Sequence, residues 1–131
     1  MNALIVYYSL SGTTKKLAER MAGILKCDVK HLSIFGGNVP MGKDKYDLVI
    51  VGGPIWLYSP AFPVGRFLSK NKSMLSEVAF FCTYQTSIGS SFAKMERKSG
   101  KKPRGLLSMK AEEIGTEKGD QKLREFLDIL K

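Results

Sequence analysis

Four apolar runs, at Ala3–Tyr8, Asp47–Gly52, Val78–Thr83 and Gly105–Lys110, constrain this chain more than any other feature. They run continuously instead of alternating, as strands do in a parallel sheet covered on both faces. A fifth candidate, Asp28–Ser33, mixes Lys30 and His31 with Val29 and Leu32, which predicts an edge strand. Helical spacing falls between and after these runs. Thr13–Lys26 carries Leu17, Met21, Ile24 and Leu25, and Val64, Phe67 and Leu68 mark a short helix entered through Pro63. Ile88, Phe92 and Met95 mark a third that ends near Ser99-Gly100. In Glu117–Leu130, the residues Leu123, Phe126, Leu127 and Leu130 form one apolar stripe. Strands alternating with helices imply an α/β fold, a three-layer open sheet with right-handed crossovers. Between the second and third strands, Phe35–Lys45 holds Gly36, Gly37, Pro40 and Gly42 without helical period. A shortened, irregular strap is expected there in place of the usual helical crossover.

The 131 residues suit one domain over 1–131, and 44% hydrophobic content gives it a proper core. No apolar run reaches the roughly 20 residues of a membrane helix. The opening segment has no charged region or cleavage site, so no signal peptide is expected. Cys27 and Cys82 are distant in sequence and sit in or beside apolar runs, as free buried thiols do. The cytoplasm is the expected compartment. His31 has no companion at metal-ligand spacing and reads as surface structure. The net charge of +9 is concentrated: of 21 basic residues, Lys94, Arg97, Lys98, Lys101, Lys102 and Arg104 cluster around a single Glu96. Either these cations suit the negative end of a helix, or they dock an acidic partner. No aromatic interleaves with them, which disfavours a nucleic-acid groove.

Ligands of open parallel sheets sit beyond the carboxyl ends of the strands, where the strand order reverses. Three loops belong there. Ser9-Leu10-Ser11-Gly12-Thr13-Thr14 joins the first strand to its helix with hydroxyls and one glycine. The unpartnered amides and dipole of a helix start favour an anion there, while Ser11 or Thr13 acting only as a helix cap is the plainer alternative. Gly52–Pro63 holds the chain's single Trp, Trp56, with Tyr58 and Phe62 in a segment stiffened by prolines. Trp56 either covers a flat aromatic ligand or folds back over the core. The third loop, from Thr83 through Tyr84, Gln85, Thr86, Ser87 and Gly89 to Ser91, offers small polar groups and an aromatic ring. Together the loops suit a ligand with a phosphate at one end and a planar ring at the other. They contain no charged residue, so no catalytic side chain is assigned, and a cofactor is expected to supply the chemistry.

These loops resemble those of small flavodoxin-like proteins along essentially the whole chain. Ser9-Leu10-Ser11-Gly12-Thr13-Thr14 resembles the flavodoxin loop that holds the FMN phosphate. Gly53-Pro54-Ile55-Trp56 with Pro60-Ala61-Phe62-Pro63 resembles the aromatic loop over one flavin face, and Phe81–Tyr84 with Gly89 resembles the loop at the pyrimidine end. The resemblance implies five parallel strands in the order 2-1-3-4-5. It also implies FMN contacts at Ser9, Leu10, Ser11, Gly12, Thr13 and Thr14, and at Pro54, Ile55, Trp56, Leu57, Tyr58, Thr83, Tyr84, Gln85 and Gly89. The function implied is electron transfer between redox partner proteins, acidic ferredoxin-like carriers among them. An FMN-dependent oxidoreductase acting on a small molecule such as a quinone is the alternative, followed by a flavin-free phosphate or nucleic-acid binder.

Two departures from that pattern carry expectations. Leu57 stands where many flavodoxins have glycine, and leucine is expected to resist positive φ there and to stabilise a half-reduced flavin poorly. The positive net charge also reverses the usual acidic sign. At about 10 Å and a dielectric near 20, one charge is worth roughly 1.7 kcal/mol, or about 70 mV for one electron. The basic cluster is expected to lie away from the flavin, reducing this to a modest rise in potential.

Overall fold

The computed structural model describes residues 2–34 and 46–131. The expected strap at Phe35–Lys45 lies outside the described residues. Strand β1 (Ala3–Tyr7) leads into α1 (Thr13–Leu25), followed by β2 (Asp28–His31) and β3 (Leu48–Trp56). A two-residue strand β4 (Ser59–Pro60) precedes α2 (Phe62–Lys70), then β5 (Glu77–Tyr84), α3 (Ser91–Ser99), β6 (Leu106–Lys110) and α4 (Glu117–Leu130). The sheet runs β2-β1-β3-β5-β6 with every neighbouring pair parallel. With β4 set aside, this is the order 2-1-3-4-5.

Because successive side chains on a strand point to opposite faces, each buried strand feeds two cores. Ile5, Ile50 and Phe81 face Leu17 and Met21 of α1 and Leu123, Phe126 and Leu127 of α4. Val6, Val51 and Phe80 face Val64, Phe67 and Leu68 of α2 and Met95 of α3. Each such side chain contributes about 1.5–3 kcal/mol by leaving water. Arg20 of α1 pairs with Asp120 of α4 across the first layer.

The elements differ from expectation in three places. β6 is a second edge strand, and its burial alternates: Leu107 and Met109 are buried while Leu106 is exposed. Its apolar composition hid an exposed face. β3 runs on through Gly53 and Pro54, residues that read as a turn, because Pro54 still pairs opposite Thr83. After Trp56 it folds back as a hairpin on β4, which adds a sixth strand. β2 is the expected edge strand, exposed along its length. His31 on it is exposed and stacks on Tyr7 with centroids 4.8 Å apart.

Register aligns the carboxyl ends. Tyr7 lies opposite Gly52, Pro54 opposite Thr83, and Thr83 opposite Met109. The loops that leave these strands therefore emerge along one edge.

Candidate cofactor site

The loop between β1 and α1 is organised by its first hydroxyl. Ser9 Oγ accepts hydrogen bonds from the backbone N–H of Gly12 at 3.1 Å and of Lys15 at 3.2 Å. Gly12 occupies the helix N-cap at φ 94° and has no side chain to cap with, so the first-turn amide of Lys15 turns to Ser9 instead. The plainer reading, with Ser11 or Thr13 as the cap, is not what the structure shows. Ser11 and Thr13 instead place their hydroxyls 3.3 Å apart on the outside of the turn. Within the helix, Lys16 N–H is the donor that reaches Gly12 O. The amides of Thr13 and Thr14 therefore have no carbonyl four residues back, and Ser9 takes the Gly12 and Lys15 amides instead. The Ser11 and Thr13 hydroxyls thus stand at the positive end of α1, on a cavity whose lining includes no lysine or arginine.

Thr14 turns the other way. Its side chain is buried and meets Thr83 Oγ1 at 2.8 Å, tying the start of α1 to the end of β5. Loss of either partner would strand a buried hydroxyl, at about 1–3 kcal/mol.

Trp56 ends β3 half-buried, its ring meeting Tyr8 edge-on at 5.4 Å and 82°. The indole thus packs against the second core, and the ring also walls a cavity. Beyond it, Trp56 pairs with Ser59 across a two-residue turn in which Leu57 (φ 49°) and Tyr58 (φ 65°) are both left-handed. Positive φ at both central positions matches a type I′ hairpin, whose usual residues are Asn-Gly. The expectation that leucine would resist positive φ is corrected here: the hairpin's right-handed twist imposes it. Leu57 is 93% exposed, so no packing of its side chain compensates.

Gly89 holds this turn from behind. It sits at φ 55°, where a Cβ would lie 2.7 Å from Tyr58 Cβ and 2.8 Å from Tyr58 O. Ser91 Oγ donates to Ile88 O at 2.6 Å, fixing the loop before α3.

A cavity of about 440 Å³ opens where the three loops meet. Ser9, Leu10, Ser11, Thr13 and Thr14 form one end; Pro54, Ile55, Trp56, Leu57 and Tyr58 form a wall; Thr83, Tyr84 and Gln85 close the other side. Of the residues the sequence nominated, Gly12 and Gly89 do not line it, and both act by shaping a turn. Thr86, Ser87 and Ala111 line it as well. Ala111 follows β6, and inspection of the loop after the fifth strand would have found it, since that strand ends at the same edge. No lining residue is charged. Cys82, one residue before Thr83, is buried, and desolvation pushes its thiol up to about 12, so it stays protonated at neutral pH.

The basic cluster lies nearer than expected. Lys94 donates to Ser59 Oγ in the hairpin, and Lys94 and Lys98 share a second cavity with Trp56. The sequence offered no sign that α3 packs beside β4.

A family model described as the flavodoxin domain matches residues 4–124. The chain belongs to the flavodoxin family. Among solved structures, a flavoprotein from Lactobacillus acidophilus in complex with FMN is 20% identical, with a TM-score of 0.71 and coverage of 96% of this chain and 98% of that one. Oxidised flavodoxin 2 from Bacillus cereus is 17% identical, with a TM-score of 0.71 over 98% and 97% of the two chains. Rubredoxin oxygen:oxidoreductase from Desulfovibrio gigas is 19% identical at a TM-score of 0.71, the match covering 98% of this chain and 34% of that larger one. A search of curated protein sequences found no match. In this flavodoxin-family chain the donor set fits FMN. Uncharged hydroxyls and amides stand at a helix start for the phosphate, and an indole face and a polar loop stand across the cavity for the ring.

Proposed function

We propose that this protein binds FMN non-covalently and carries electrons between redox proteins. The carrying observation is the charge-free cavity that joins the α1 start to Trp56. Ser11, Thr13 and the amides of Thr13 and Thr14 bind the phosphate. Trp56 covers one face of the rings and excludes water from it, while Tyr84 and Gln85 border the pyrimidine side. Bound FMN supplies the electron chemistry; the chain positions it and holds its charge. Family membership and the fold shared with flavodoxins support this reading. The match to about a third of rubredoxin oxygen:oxidoreductase supports a redox role for this domain.

Acidic electron-transfer proteins are the partners proposed, because the surface carries a net +9. The cytoplasm is the proposed compartment, supported by two free thiols. Among the described residues no helix is long and apolar enough to cross a membrane. Reduction of a small quinone is the second reading, favoured by the exposed Leu57 and Tyr58 on the cavity wall, against which a small apolar molecule could rest. Adding FMN to the apoprotein while following flavin fluorescence tests the proposal. One-to-one quenching supports it, and unchanged fluorescence refutes it.

A further inference from the structure

The second cavity, of about 470 Å³, is lined by Trp56, Ser59 and Pro60 of the β3–β4 hairpin together with residues of α2 and α3, and shares Trp56 with the first. Trp56, Pro60 and Phe62 give it apolar walls, and Arg66, Lys94 and Lys98 stand around it with no carboxylate among the lining residues. Phe62 is 62% exposed, and the Arg66 guanidinium lies 5.9 Å from its ring centroid. Gly65 sits in the middle of α2, where glycine costs a helix roughly 0.5–1 kcal/mol relative to alanine. A Cβ there would approach the Lys98 stem to 3.1 Å. The glycine therefore lets that stem lie along α2 beside the apolar walls. The positive face continues past the cavity through Lys70, Lys72 and Lys101, which line a further depression. Among the described residues, none of these six cations forms an ion pair.

We infer that the α2–α3 face is the docking surface for an acidic electron-transfer protein, which inserts an apolar side chain ringed by carboxylates beside Trp56. The inference rests on the carrier reading above and adds where the partner sits. Charge complementarity selects an acidic surface, and the run of cations past the apolar cavity suits a protein face more than a small anion. Redox encounters bury under about 1,200 Å² in all, so a patch of this kind suffices. A partner seated there would be separated from the flavin cavity by the indole that both cavities share.

The test uses the whole chain, isotope-labelled and titrated at low salt with a gallium-substituted plant-type ferredoxin as a redox-silent acidic probe. Amide shifts should cluster on Ser59, Phe62, Arg66, Lys94 and Lys98 and vanish at high salt. Lys94→Glu/Lys98→Glu should weaken binding at least tenfold. A charge-matched Lys26→Glu/Lys30→Glu pair, on the end of α1 and the edge strand, should change it less than twofold. No shift on this face, or equal loss in both pairs, overturns the inference. Stronger binding of a single-stranded oligonucleotide to the same amides also overturns it, in favour of nucleic acid. The readout needs no flavin, so failure of FMN binding is scored separately by fluorescence.

Discussion

At the scale of single residues, the division of labour among hydroxyls is the main result. Ser9 folds the loop, Thr14 anchors it to Thr83, and Ser11 and Thr13 face outward. Ser11→Ala should therefore weaken FMN binding by about 1.5–3 kcal/mol, the worth of a hydrogen bond to a charged group, with little change in folding stability. Trp56→Ala should cost about 1–3 kcal/mol of FMN affinity, as loss of an aromatic stacking face does for nucleic-acid bases. Calorimetric titration of both variants with FMN checks this; unchanged affinity in either would remove that residue from the site. The hydroxyl loop was legible because an apolar run, a polar loop and a helical period follow one another in sequence. Which hydroxyl faces the ligand was not, because Thr14 meets Thr83 across 69 positions.

Glu113 is a second residue-scale case. It is nearly buried after β6, where Lys122 Nζ lies 2.9 Å from Oε2 and the Lys110 amide donates to Oε1 at 3.0 Å. The Lys122 bond first, then the Lys110 amide, holds its carboxyl below the usual value despite burial. Its stabilisation is therefore complete above the ordinary carboxylate value and fades as pH falls through the lowered one. Glu113→Gln should lose about 1–2 kcal/mol at neutral pH and show no deficit in strong acid. Denaturant melts across that range check it, and a deficit independent of pH would contradict it.

At the scale of elements, the β3–β4 hairpin stands out. Two non-glycine residues are left-handed in its turn, at roughly 1–2 kcal/mol each. Leu57→Asn, which tolerates that backbone and loses no buried surface, should raise stability by about 0.5–1 kcal/mol. A lower or unchanged unfolding midpoint would show that the turn is not strained. The hairpin was illegible in sequence because Gly53-Pro54 looks like the end of a strand and Leu57-Tyr58 lacks turn residues. The four helices were legible from their apolar stripes, with α3 starting three residues later than its pattern, at Ser91. β6 misled for the opposite reason, its apolar composition giving no sign of an exposed face.

At the scale of the whole molecule, the strand order and register place every ligand loop at one edge, and the covered strands made that layout readable. The charge cluster is legible in the sequence, but its approach to Trp56 is not, because packing of α3 beside β4 is a long-range fact that no local pattern records. The central claim is that uncharged donors at the α1 start and the indole of Trp56 together hold FMN. The most direct measurement is calorimetric titration of the apoprotein with FMN alongside riboflavin, which lacks the phosphate. The account predicts one-to-one binding of FMN with riboflavin at least tenfold weaker; absence of FMN binding, or equal affinity for the two, would contradict it.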